Sequence, residues 1–152
     1  MQLRLSSRFL GLVLGPGEGK IVSVLGDPYT YKVVGGDTGG NYSLIEHTTA
    51  GDGPPPHIHK SEEEAFYVLE GEVNVKIGEQ TIREAVGSFV LIPRGTVHTF
   101  SRVGAEPAKM LVIISPAGFE QFFTEIDGST DVNKIMALAP KYNLTIMGRP
   151  GS

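Results

Sequence analysis

The sequence predicts an all-β sandwich or barrel with a short helical segment near its C-terminal end. Three observations predict it. Apolar runs are mostly of strand length. Glycine and proline, 20 and 10 among 152 residues, punctuate them at spacings of roughly 8–12 residues. Helical spacing of apolar residues sets in only after Pro116.

The bounds are permissive of a catalytic or binding domain. A chain of 152 residues fits one domain and buries a core without disulfide or structural-metal support. The formal charge is −4, with no long single-sign block, which argues against nucleic acid or an anionic membrane as partner. Cysteine is absent, which excludes disulfides, thiolate ligands and a cysteine nucleophile together. A small-molecule partner and a cytoplasmic location are the expectations.

Residues 1–19 read as a lead-in, flexible or an edge strand. Arg4 and Arg8 precede a short apolar stretch, Phe9 to Leu14, but Gly11 interrupts it and no small-residue cleavage site follows in Gly15-Pro16-Gly17-Glu18-Gly19-Lys20, so the signal-peptide pattern is not met. Nothing approaches the ~20 apolar residues of a membrane span. The domain proper is predicted over 20–147, with 148–152 a loose tail.

Within that domain Ile21–Leu25, Tyr29–Val34 and Tyr42–His47 are strand-like, separated by Gly26-Asp27-Pro28 and the glycine-rich run 35–40. Ala65–Leu69 reads as a returning strand. Val73-Asn74-Val75-Lys76-Ile77 alternates as a half-exposed antiparallel strand does, and Gly78-Glu79 turns it back through Thr81 and Ile82. Phe89–Ile92 is apolar throughout, the pattern of a strand buried on both faces, and Met110–Ile114 is similar. Phe119, Phe122, Phe123 and Ile126 fall at helical spacing and predict a helix over Ala117–Ile126, as a lid, a dimer contact or plain core. Asp131 is placed to cap a second helix, Val132–Leu138, which Pro140 stops. Tyr142–Met147 is a final strand or an extended tail.

The chemistry concentrates in 51–71. Pro54, Pro55 and Pro56 stiffen the approach. His57 and His59 lie two apart, so an extended backbone points both imidazoles to one face. Glu64 follows past a polar turn, and His98 arrives on a strand after Pro93-Arg94-Gly95. Three imidazoles and a carboxylate suit one divalent transition metal per chain, be it Fe, Mn, Ni, Co, Cu or Zn. Taken singly, each signal has an ordinary reading: a polar pair on a strand, a loop, a member of the acidic run 62–64. His47 is set aside as a strand residue with no partner at ligand spacing, and Glu62 and Glu63 are read as a solvated turn or a support to the ligands.

Gly51, five residues, His57, one, His59, four, Glu64, six, Gly71 resembles the first motif of the cupin superfamily. Gly87, five residues, Pro93, one, Gly95, two, His98 resembles the second. Fifteen residues, Glu72 to Val86, separate them, and the two motifs span about a third of the chain. The family pattern continues with three residues and an asparagine, where this chain has Arg102; the departure bears on a turn or surface contact, since all four ligand positions are filled. The runs Pro-Pro-His-Ile-His, Glu-Glu-Ala-Phe-Tyr-Val-Leu-Glu-Gly and Ser-Pro-Ala-Gly-Phe-Glu are similar to bacterial single-domain quercetin dioxygenases. The resemblance implies a jelly-roll β-barrel, a metal held by His57, His59, Glu64 and His98, and a homodimer paired through a sheet edge. It also implies a metal-dependent dioxygenase cleaving a flavonol or related enolic molecule, with Glu64 taking the proton of the enolic hydroxyl. Tyr42, Phe66, Ile92 and Phe100 are candidates to line the substrate pocket, with core packing the alternative. Two other functions fit the same motifs: a non-catalytic module binding metal and a small molecule, and a metal-assisted isomerase or epimerase of a sugar or keto acid.

Overall fold

The computed structural model describes residues 3–4 and 11–148; the rest of the predicted lead-in and nearly all of the predicted tail lie outside the described residues. A two-residue pair, β1 (Leu3–Arg4) with β2 (Leu12–Val13), stands by itself as a small sheet. The other strands form two antiparallel sheets that face each other, the jelly-roll expected from the resemblance.

The larger sheet contains β3 (Lys20–Val24), β4 (Asp27–Val33), β5 (Ser43–Thr49), β7 (Glu63–Glu70), β10 (Phe89–Ile92) and β12 (Ala108–Ser115), in the order β10-β7-β12-β5-β4-β3. The smaller contains β6 (His57–His59), β8 (Val73–Ile77), β9 (Gln80–Glu84), β11 (His98–Arg102) and β13 (Leu144–Ile146), in the order β13-β6-β11-β8-β9. Alternation does the sorting. On β5 every second residue, Ser43, Ile45, His47 and Thr49, is buried, and on β12 Ala108, Met110, Val112 and Ile114 are. A period of two sends these side chains inward between the sheets and their neighbours outward.

One strand departs from its predicted burial. Phe89–Ile92 was expected to be covered on both faces, yet Phe89 and Leu91 are exposed at 62% and 51%. The strand pairs only with β7 and forms the edge of its sheet, so its outer face has nothing over it.

The loop ahead of β6 is held against β11 by backbone contact. Gly53 sits at φ +82°, and a Cβ there would come within 1.8 Å of the Phe100 carbonyl oxygen. Thr99 Oγ1 donates to the Pro54 carbonyl on the same loop. Only glycine fits this approach, and the proline run that delivers His57 depends on it.

The C-terminal segment closes one end. The predicted helix is shorter than its apolar pattern: α2 covers Glu120–Glu125, one-turn α1 (Gly35–Thr38) having formed earlier in the glycine-rich run. Phe119, Phe122 and Ile126 are buried nonetheless. Glu120 anchors the helix, its carboxylate accepting from the amides of Gly35 (2.8 Å) and Gly118 (2.7 Å). The second helix, α3, spans Val132–Leu138 as predicted, and the Asp131 carboxylate accepts from Lys134 N at its start. Pro140 sits in a 3-10 turn, Ala139–Tyr142, that leads into β13. β13 pairs antiparallel with β6, setting Leu144 opposite His59 and Ile146 opposite His57. The final segment is therefore a strand that covers the edge of the histidine strand.

Candidate metal centre

β6 is three residues long, and its period of two aims His57 and His59 the same way, both buried, with Ile58 between them facing out. β11 lies beside it and places His98 directly across from His57. Glu64 comes from the opposite sheet, near the start of β7. All four side chains are buried, and one donor atom from each lies within 4.8 Å of every other.

Hydrogen bonds orient the donors. His57 Nδ1 donates to the Pro55 carbonyl oxygen (2.8 Å) and His98 Nδ1 to the Thr96 carbonyl oxygen (2.9 Å). A carbonyl only accepts, so each Nδ1 carries a hydrogen and each Nε2 is the nitrogen turned to the cluster. Glu64 Oε2 lies 2.9 Å from His59 Nε2 and 3.1 Å from His98 Nε2. Each contact is a hydrogen bond when the imidazole Nε2 carries a hydrogen, and a metal cation would take that hydrogen's place. The donor set therefore fits a divalent transition metal.

The electrostatics agree. Burial pushes His57 down to about 3, and the neighbouring His98 and His59 rings add to the effect. Burial alone would raise Glu64, but its contacts with His59 and His98 outweigh that and hold it far below the ordinary carboxylate range. Burial pushes His98 down, but its hydrogen bond to Glu64, the Glu64 charge and the Thr96 carbonyl together outweigh that and move it up. Ionised Glu64 and neutral His57 are thus held in the forms that bind metal, whereas His98 has to give up a proton to do so.

His57, His59 and Glu64 form part of the wall of a partly open cavity. The remaining wall is largely apolar, with Phe119, Phe122 and Phe123 from the α2 region, Ile135 from α3 and Leu144 from β13. Phe119 stacks edge-on against His59 at 4.4 Å between centroids, so the C-terminal helices form part of the site's enclosure.

Of the four residues suggested as pocket lining, Phe100 lines the cavity and three do not. Tyr42 is 41% exposed, because it precedes β5 rather than lying within it. Phe66 and Ile92 share the donors' parity but are sealed in the core, where Phe66 packs on Phe100 at 5.2 Å. Parity chooses the inner face but not the position along the barrel axis. Arg102, at the position of the family's asparagine, donates to the Ala105 carbonyl oxygen (2.6 Å), a turn contact at the end of β11.

Two residues carry more than the sequence suggested. Glu62, expected to be solvated, is buried, with Oε1 lacking a hydrogen-bond partner; His59 Nδ1 is buried without one too. Burial pushes the Glu62 carboxyl up, while the His59 ring and Arg94 pull it back. His47 is buried, lines the cavity and is paired with Asp27. The signal for that pair was present in the alternation of the Tyr42–His47 run, but its partner lies 20 residues upstream and only strand pairing brings it close.

Comparison with known proteins follows the same lines. A family model described as a cupin domain matches residues 44–114. Quercetin 2,3-dioxygenase of Bacillus subtilis (strain 168) is 31% identical over 114 residues, covering 73% of this chain and 33% of that protein; the chain thus spans about a third of the length of this relative. Among solved structures, the Cnp3 cupin domain of Schizosaccharomyces pombe superposes with a TM-score of 0.58 at 16% identity, covering 81% of this chain and 85% of that one. The polyketide cyclase RemF of Streptomyces resistomycificus superposes with a TM-score of 0.61 at 22% identity, over 68% and 78%. At these identities the two structures bear on the fold alone.

Proposed function

Since the chain belongs to the cupin superfamily, we propose that it is a metal-dependent dioxygenase that cleaves a flavonol or related enolic small molecule. One observation carries the reading: four buried donors, His57, His59, Glu64 and His98, converge, and the first three line a largely apolar, aromatic-walled cavity. A bound metal would supply a Lewis acid for an enolic oxygen and, for redox-active ions, access to oxygen chemistry. The protein's own part is to hold, orient and deprotonate. His57 and His98 are pinned by the carbonyls of Pro55 and Thr96. The Glu64 carboxylate lines the cavity and accepts the hydroxyl proton of a molecule seated there. The phenylalanine cluster excludes water and packs an aromatic ring.

The resemblance to the Bacillus subtilis quercetin 2,3-dioxygenase supports the substrate class. A binding module without turnover uses the same cavity and is separated only by assay. No lysine or arginine lines the cavity among the described residues, so a phosphorylated sugar would meet no countercharge, which disfavours the isomerase reading. The test is oxygen uptake by protein loaded in turn with Fe, Mn, Co, Ni and Cu and offered flavonols and enolic diketones, with metal content measured first. Uptake that follows the flavonol supports the proposal. Saturable binding with no uptake under any metal would replace it with the binding module.

The proposal includes a homodimer, paired through the open edge of β10, where Phe89 and Leu91 are uncovered. Sedimentation velocity is expected to give a dimer that a charged residue at Phe89 dissociates; a monomer at all concentrations would end this part of the proposal.

A further inference from the structure

The cavity holds one more imidazole besides the metal donors. His47 stands on β5 of the larger sheet, across the barrel from the three histidines of the smaller sheet. It is 1% exposed. Its Nε2 lies 3.3 Å from Asp27 Oδ2, while Asp27 Oδ1 accepts from the amides of Ala50 (3.0 Å) and Gly51 (3.3 Å). With the carboxylate fixed as an acceptor, Nε2 carries the ring hydrogen and Nδ1 keeps a lone pair. Burial pushes His47 down against the pull of Asp27, which favours that neutral, accepting form.

The ring is also locked in place. Tyr29 lies 4.0 Å away between centroids, and Phe100 packs edge-on at 5.2 Å. No partner for Nδ1 is found among the described residues. Apart from His57, His59 and Glu64, His47 and Tyr29 are the polar side chains of the cavity wall among the described residues. The Asp27 pair accounts for one nitrogen. A packing role alone gives no use for the other, an acceptor set on an otherwise apolar wall.

We propose that His47, oriented by Asp27, is a specificity-determining residue that accepts a hydrogen bond from a hydroxyl at the far end of a bound aromatic molecule. This rests on the reading of the cavity as a small-molecule site. The substrate class narrows accordingly to aromatic molecules oxygenated at both ends: one end meets the His57, His59, Glu64 and His98 cluster, the other meets His47.

The test is anaerobic binding to zinc-loaded protein, since zinc supports no redox turnover. Two probes are compared. Quercetin carries hydroxyls at both ends, and 3-hydroxyflavone carries only the hydroxy-ketone that faces the metal. Wild type is expected to bind quercetin about tenfold more tightly, the worth of one buried hydrogen bond. His47→Leu removes that preference while leaving zinc content and 3-hydroxyflavone affinity within about twofold, and His47→Gln, which keeps an acceptor, retains part of it. Where the leucine variant does not fold, His47→Phe preserves the ring packing and takes its place. The inference is overturned if wild type binds neither probe or shows no preference, or if the preference survives in the leucine or phenylalanine variant. Absence of oxygen uptake would remove the dioxygenase proposal while leaving this comparison intact; uptake with a preference independent of His47 would remove the inference alone.

Discussion

His98 is the direct cross-strand partner of His57, and their rings lie 4.3 Å apart between centroids. Two strands 41 positions apart in the chain, at its two motif histidines, are thus adjacent across one register position. Antiparallel pairing sets opposed side chains within a few ångströms of each other, so the register of β6 against β11 decides whether the cluster exists. Glu64 then closes it from the facing sheet.

Removing one imidazole from that cluster should abolish tight metal retention. His98→Ala is expected to lose stoichiometric metal, measured by elemental analysis, and with it a metal-dependent rise in Tm of roughly 5–10 °C. Glu64→Gln keeps shape but loses charge and proton acceptance, so it should hold metal weakly and show no oxygen uptake. Full metal occupancy in His98→Ala would remove the cluster from consideration.

Acid should release the metal, with a sign set by His98 and His57. In the metal-free protein His57 sits low, at about 3, below its ordinary unfolded value of about 6.5. Its contribution to stability is complete above the unfolded value and is lost as pH falls toward 3. His98 is raised, so its contribution is complete below the ordinary value and fades as pH rises. Metal binding must displace that His98 proton. The gap in Tm between loaded and metal-free protein should therefore shrink steadily from about pH 8 to about pH 5. A gap that widens on acidification would contradict the assignment.

Glu62 should matter more than an ordinary turn residue. Its buried Oε1 and the buried His59 Nδ1 both lack partners among the described residues, and the His59 ring pulls the Glu62 carboxyl down against its burial. Carboxylates that support a ligating imidazole typically carry roughly 10–100-fold in metal affinity. Glu62→Leu is expected to weaken zinc binding by about that factor in a competitive chelator titration, while Glu63→Leu, at an exposed neighbour, leaves it unaltered. Equal affinity in both variants refutes the role.

Gly53→Ala should be costly and Gly36→Ala neutral. A Cβ at Gly53 meets the Phe100 carbonyl oxygen at 1.8 Å on a backbone with φ +82°, whereas one at Gly36 meets nothing within 4 Å. Strain and displacement together are expected to cost at least about 2 kcal/mol, roughly 4–8 °C in Tm, with metal affinity falling as the His57 approach shifts. Equal melting of the two variants would show that the loop does not bear on β11.

Local patterns in the chain make much of this legible. Alternation over Val73–Ile77 and the Asp131 cap before Val132–Leu138 lie within a few residues of the bonds they predict, and the spacing of His57, His59, Glu64 and His98 named the donor set. Other features turned on contacts with no local trace. Phe89 and Leu91 read as core because composition cannot say whether a strand is central or at an edge. Phe66 and Ile92 share the donors' parity, yet depth along the barrel seals them away.

The sequence alone determined the fold class and the donor chemistry: an all-β sandwich or barrel with C-terminal helices and a set of three imidazoles and one carboxylate, because side-chain period, turn residues and ligand type are properties of short stretches. The jelly roll followed from the motif resemblance. Only the tertiary structure decided what surrounds those donors. It brought Asp27 to His47, buried Glu62 behind the turn, laid Leu144–Ile146 along the histidine strand and drew Phe119 over His59. The reason is that strand order and the docking of the C-terminal helices join residues from 20 to more than 80 positions apart, distances over which no periodicity in the chain carries information.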